Sequence, residues 1–211
     1  MTRSRPAPAL PGAIAGIEIP QDDISAATWD WAYRSLPDYL FAHSVRAYVW
    51  GAALGDQEGW TYDRQVVWTS SLLHDVGLSR LATNTMCFEV EGAEIARRFL
   101  LRRGMPRDLA ETVALAIILY MQPGVTLHDG VEALLLDRST SLDVRGERYD
   151  AVDSIRAEVM RAFPRRAFDR YFLAAIRREA EDRPTCQGAR LIHGSRLADA
   201  QRESPWVARA D

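Results

Sequence analysis

Apolar residues recur along this chain at the three- and four-residue intervals of amphipathic helices, and the strict alternation of a half-buried strand is nearly absent. The pattern predicts an all-α protein. A first helix is expected from a cap at Asp23 or Ser25 to about Leu36, enclosing Trp29 and Trp31. A second runs from about Pro37 to Leu54. Its stripe of Leu36, Leu40, Ala47 and Leu54 includes His43, and Gly55 can end it. A third starts near Asp63, whose carboxylate suits a helix N-terminus, and passes Leu72 to reach His74 and Asp75, with Gly77 as its stop. Leu81 to Phe88 lacks periodicity and reads as a loop. Further helices are expected from Glu89 to Arg103, from Arg107 to Met121 and from about Leu127 to Arg138, the last leading toward Asp143 and the loop residue Gly146. Three more fill the remainder: about Asp150 to Ala162, Pro164 to Glu181 and Ala189 to Arg202.

Length changes this picture little: 211 residues suit one helical domain, from about 21 to 211, with a short appendage. Met1 to Pro20 holds four prolines and no continuous apolar run, so it reads as a flexible tail rather than a signal peptide. A net charge of −3 predicts no attraction to nucleic acid or acidic membranes. No stretch approaches the roughly 20 apolar residues that span a bilayer, and a cytoplasmic location follows by default. Cys87 and Cys186 are far apart and in no metal-binding spacing, so both are expected as reduced thiols.

All 26 basic residues are arginine. Without lysine there can be no Walker-type P-loop, no pyridoxal phosphate enzyme and no Schiff-base aldolase. Four histidines remain for chemistry: His43, His74, His128 and His193. His74 stands out because Asp75 follows it in the apolar context Leu72-Leu73-His74-Asp75-Val76-Gly77. A carboxylate beside an imidazole in such surroundings is costly unless something pairs with it, and a divalent metal is one such partner. His128-Asp129 repeats the dipeptide after Pro123-Gly124, where a solvated helix start explains it. His193 reads as structural or exposed.

The run Leu-Leu-His-Asp-Val-Gly resembles the signature of the HD-domain superfamily, an all-helical group of metal-dependent enzymes. That resemblance implies His43 as the upstream ligand, His74 and Asp75 as the central pair, and Asp143 as the downstream one. It narrows toward the cyanamide hydratase-like branch through His43-Ser44-x-Arg46 with Tyr48, Phe88-Glu89-x-x-Gly92, Ala116-Ile117-Ile118, Pro123-Gly124-Val125 and Leu142-Asp143-Val144-x-Gly146. These motifs keep their order from about residue 35 to 147. Arg183-Pro184-x-Cys186 and Ser204-Pro205-Trp206 resemble the branch's tail more loosely. One departure stands out: where the branch usually carries a histidine, this chain has Tyr120, a phenol that stays protonated at neutral pH.

The resemblance implies one divalent metal, zinc being well suited to imidazole and carboxylate ligands, with iron or manganese as alternatives. It implies a metal-dependent hydrolase or hydro-lyase that hydrates a small nitrile or cyanamide-like substrate. Asp75 would orient water, Glu89 would shuttle a proton and Tyr120 would donate a hydrogen bond. Each has a plainer reading: Glu89 as a charge in a helix's first turn, Tyr120 as a core aromatic. Arg46 and Phe88 are substrate-binding candidates, although Arg46 can equally pair with a surface acid. Two other readings stay open, a phosphohydrolase of nucleotides or phosphoesters and a degenerate HD protein that binds a metabolite or partner without chemistry. The partners expected are a small molecule and a second copy of the chain.

Overall fold

Helices form where caps and apolar spacing coincide. Asp22, one residue before Asp23 and three before Ser25, the caps expected from sequence, accepts the backbone N–H groups of Ile24 and Ser25 at 3.0 and 2.9 Å and so starts α1 (Asp23–Ser35). Asp63 does the same for α3 (Arg64–Leu73), accepting from Gln65 and Val66. The computed structural model describes residues 6–208 apart from 84 and 195. Its remaining helices are α2 (Asp38–Gln57), α4 (Phe88–Arg102), α5 (Arg107–Leu119), α6 (Val131–Arg145), α7 (Asp153–Ala162), α8 (Phe168–Asp182), α9 (Gln187–His193), α10 (Leu197–Glu203) and α11 (Pro205–Ala208). The protein is all-α, as the periodicity predicts, save for one small hairpin of β1 (Ala13–Ile14) on β2 (Ile17–Glu18).

That hairpin lies in the segment read as a tail. Residues 1–5 fall outside the described residues, but from Pro8 onward this segment packs on the domain. The Pro8 carbonyl accepts from the Trp29 indole at 2.7 Å, the Glu18 carbonyl accepts from the Tyr48 hydroxyl, and Ile14 and Ile19 are buried.

The centre of the fold is α2. Nearly every side chain from Leu40 to Gly55 is buried, which is what a helix apolar on all sides requires. It packs against α3, α6 and α8. Gly55 makes room for the Tyr62 ring, since a Cβ there would fall 2.6 Å from Tyr62 Cε1. On the other side, α4 pairs with α5 and its first turn presses on the short 3₁₀ segment Val76–Leu78. The sequence reading made Gly77 a helix stop. The helix has already ended at Leu73, and Gly77 serves contact instead: a Cβ there would fall 1.9 Å from the Phe88 carbonyl oxygen. Gly92 accepts the same closeness from the other side, with the Gly77 nitrogen 3.1 Å from where its Cβ would stand.

Other boundaries shift too. The helix expected from Leu127 begins at Val131 and runs through Asp143, so that residue is helical. The single helix expected from Ala189 to Arg202 is two, α9 and α10.

The expectation of two reduced thiols is corrected: Cys87 and Cys186 form a disulfide, their Cα atoms 5.4 Å apart. Each cysteine immediately precedes a helix, α4 or α9. They meet because the last turn of α8 reaches the start of α4, where Glu179 accepts the Phe88 backbone N–H at 3.0 Å and holds Arg183. A separation of 99 residues hides this meeting from spacing arguments. No described helix is long and apolar enough to cross a membrane.

Candidate metal centre

His43, Arg46 and Trp50 stand at i, i+3 and i+7 on α2, one face of that helix. All three reach Asp143 on α6. The His43 Nδ1–H donates to Asp143 Oδ2 at 2.7 Å, Arg46 grips both oxygens at 2.7 and 2.8 Å, and the Trp50 indole donates to Oδ1 at 2.9 Å. Arg165 adds a bond to the Asp143 backbone carbonyl. All five residues are buried. Burial alone would raise the Asp143 carboxyl, but the Arg46 guanidinium outweighs it and holds the group well below the usual carboxylate range.

These bonds fix which ring nitrogens are free. A carboxylate or a carbonyl can only accept, so Nδ1 of His43 carries a proton toward Asp143. Nδ1 of His74 likewise donates to the Ser71 carbonyl at 2.7 Å. In the neutral imidazoles both Nε2 atoms are then lone pairs, and they face each other 3.2 Å apart. Asp75 follows the end of α3, and its Oδ2 lies 3.2 Å from Nε2 of His74 and 3.7 Å from Nε2 of His43. Oδ1 accepts the Tyr120 hydroxyl at 3.2 Å, while Oδ2 is fully buried without a hydrogen-bond donor among the described residues.

Two lone pairs and a carboxylate oxygen thus converge with little to neutralise them. Metal–ligand bonds of 2.0–2.2 Å in a tetrahedron put neighbouring donors about 3.3–3.6 Å apart. The observed triangle, with edges of 3.2, 3.2 and 3.7 Å, has that size. His43, His74 and Asp75 could therefore hold a metal ion. The charges agree. Burial disfavours the His74 imidazolium, yet the Asp75 carboxylate outweighs this and raises its pKa. Burial likewise disfavours the Asp75 anion, and His74 outweighs it. A cation bound here would displace the His74 proton.

The structure gathers the sequence candidates unequally. His43, His74 and Asp75 are in mutual contact, and Tyr120 touches the last two, its ring 5.1 Å from that of His74 and its hydroxyl on Asp75. Asp143, read as a fourth ligand, is in the same cluster, but both its oxygens are engaged and it stands behind His43. Arg46, read as a substrate or surface contact, is committed to Asp143 and to the Phe163 carbonyl. Phe88, the other substrate candidate, is in the hydrophobic core at 1% exposure. Glu89 is buried in the first turn of α4 with an unpartnered Oε2, and burial raises its pKa. It makes no bond to the donors, although its charge, after burial and Asp75, helps raise Tyr120 well above the usual phenol. Tyr120 is thus held as a hydrogen-bond donor, not a base. His128 and His193 are exposed, and Asp129 caps its own 3₁₀ turn through Thr126. Sequence reasoning missed Trp50, Arg165, and Phe168 and Phe172, whose rings pack on His43 at 4.6 and 5.9 Å. The spacing of Trp50 from His43 was the available signal.

A cleft of about 870 Å³ opens beside this cluster, bounded by Tyr120 and Phe172 at one end and by α6, α9 and the turn at Gln122 elsewhere. Asp137 on α6 lines it, and burial pushes that carboxyl up to about 6. Its folded pKa exceeds the ordinary value near 4. Its contribution to stability is therefore full below about pH 4 and is lost as pH rises through about 6. The group is partly exposed, so solvent screening cuts the effect to about 1 kcal/mol. Asp137→Asn is expected to be more stable than the native chain by about that amount at pH 7.5 and equal to it at pH 4, as read from urea midpoints. The same difference at both pH values would refute this account.

Comparison with known proteins accords with this geometry. The chain matches the HD domain family over residues 40–193, a span that includes His43, His74, Asp75 and Asp143. Two curated proteins of Saccharomyces cerevisiae, the cyanamide hydratases DDI2 and DDI3, are each 26% identical to it over 172 residues, covering 78% of this chain and 76% of theirs.

Proposed function

We propose, from the premise that this chain belongs to the HD-domain family and to its cyanamide hydratase-like branch, that it hydrates small nitriles, with cyanamide the first substrate to try. The observation that carries this reading is the donor triangle of His43, His74 and Asp75, sized for a metal and backed on each imidazole by an acceptor. Three protein ligands with further positions open are what a catalytic zinc site needs; iron and manganese are the alternatives to zinc. A divalent cation held there supplies a Lewis acid and a water acidified toward neutral pH.

The protein's own groups do the rest. Asp143 holds the His43 ring so that Nε2 faces inward, and the Ser71 carbonyl does so for His74. Asp75 keeps Oδ2 turned inward while Tyr120 holds Oδ1. Hydration adds water across the C≡N bond, oxygen to carbon and both protons to nitrogen. Tyr120, raised well above the ordinary phenol, keeps its proton at neutral pH, and its one O–H, turned from Asp75 Oδ1, suits the nitrogen that gains charge. Glu89 is a carboxyl held toward its protonated form and suits the relay of protons behind Tyr120. The phosphohydrolase alternative is weaker, because Arg46 and Arg165, the cations of this cluster, are committed to Asp143 and Asp169.

The test is urea release from cyanamide by the metal-loaded chain. Tyr120→Phe is expected to lower kcat by about tenfold or more while metal content stays unchanged. An unaltered kcat would make Tyr120 a packing residue only.

A further inference from the structure

The cleft beyond Tyr120 and Phe172 is too large for cyanamide, whose heavy-atom skeleton is only N–C–N. Its volume of about 870 Å³ lies within the ~300–1,000 Å³ of sites that enclose whole metabolites. It also ends at the right place. Tyr120 bonds Asp75 and stacks edge-on against His74, while Phe172 packs on His43. The donors therefore lie directly behind the cleft's inner wall. A molecule joining the two needs a slim reactive end and a larger body, and a linear nitrile is such an end.

The charged groups of the cleft decide what the body carries. Asp137 is half-buried, and no hydrogen bond or ion pair reaches its carboxylate among the described residues. The neighbouring cations are engaged elsewhere. Arg145 donates to Ser141 at 2.7 Å and pairs with Glu147 at 2.9 Å. Arg138 turns to Glu58 and lies over the Trp60 ring. Across the cleft, Arg190 on α9 is exposed to water, so its charge is hydrated without a ligand. A partly buried carboxylate that lacks a hydrogen-bond partner gains more from acquiring one than a fully hydrated guanidinium does. We propose that this cleft binds the body of the substrate and selects nitriles that carry a cationic, N–H-donating group, held by Asp137.

This inference rests on the hydratase reading for the reaction but not for the binding, and its test separates the two. Dissociation constants for the full chain would be measured by calorimetry with β-aminopropionitrile, with butyronitrile as its neutral isostere and with cyanoacetate as an anionic counterpart. The amine is expected to bind at least about tenfold more tightly than butyronitrile, and Asp137→Asn is expected to erase that preference. Equal binding of the two, or a preference that survives Asp137→Asn, overturns the proposal. So does preferential binding of cyanoacetate, which would make Arg190 the governing charge. An Asp137-dependent preference for the amine without amide release from any nitrile leaves the cleft assignment standing and defeats the hydratase reading.

Discussion

His74→Ala is expected to leave the chain without bound metal and without activity. The loss should exceed the ~10–100-fold drop in metal affinity that follows removal of an outer partner, because Nε2 of His74 is itself one corner of the donor triangle. Two donors, His43 and Asp75, would remain, fewer than the three protein ligands of catalytic zinc sites. Elemental analysis of protein made without chelators or a metal-binding tag should give about one ion per native chain and none in the variant. Stability provides a second measure. A ligand at a thousand times its Kd stabilises the folded state by about 4 kcal/mol, which for a domain of this size is roughly 8–16 °C in Tm. Chelator should therefore lower the Tm of the native protein by that amount and leave the Tm of His74→Ala unmoved. Full metal occupancy in the variant would rule out the triangle as the site.

The donors of this site were legible because they are local and periodic. His74-Asp75 is a contiguous pair closing an apolar run, and His43 lies on the buried stripe of a helix whose caps and composition are plain. What stayed hidden was direction. A helical stripe says that His43 points inward, but not which nitrogen faces which neighbour. That depends on Asp143, 100 residues away, and on the Ser71 carbonyl. The same limit explains Arg46. At i+3 from His43 it was seen to share that face, yet the face was taken to be open, whereas α6 covers it with a carboxylate. Trp50 continues the series, and its indole donates to the same carboxylate. The disulfide was missed for a different reason. Cys87 and Cys186 have no local pattern, and they come together only where the end of α8 meets the start of α4. The cleft is formed by α6, α9 and the turn after α5, so no single segment announces it.

Asp143 tests this argument most severely, because two roles for it make different predictions. Asp143→Ala is expected to destabilise the protein by about 3–5 kcal/mol, a large share of the ~5–15 kcal/mol that holds a typical domain folded. The cost arises because Arg46 is fully buried and would lose both oxygens that neutralise it, while Trp50 and His43 would lose their acceptor. Arg165 is cushioned by Asp169 and contributes less. A denaturant midpoint close to native would show that the Arg46 charge is satisfied in some other way. Pairing the change with removal of the charge separates folding from metal binding. Arg46→Met with Asp143→Leu replaces a buried ion pair by apolar volume, which is commonly neutral or stabilising, so the double variant should recover most of the lost stability. It would not restore an acceptor for Nδ1 of His43. If Asp143 acts by orienting that ring, the refolded double variant should still bind metal, about 10–100-fold more weakly than the native chain. If Asp143 is instead a direct ligand, stability should return while stoichiometric metal does not. The geometry favours the first result, since both Asp143 oxygens already have donors and the triangle is complete without them.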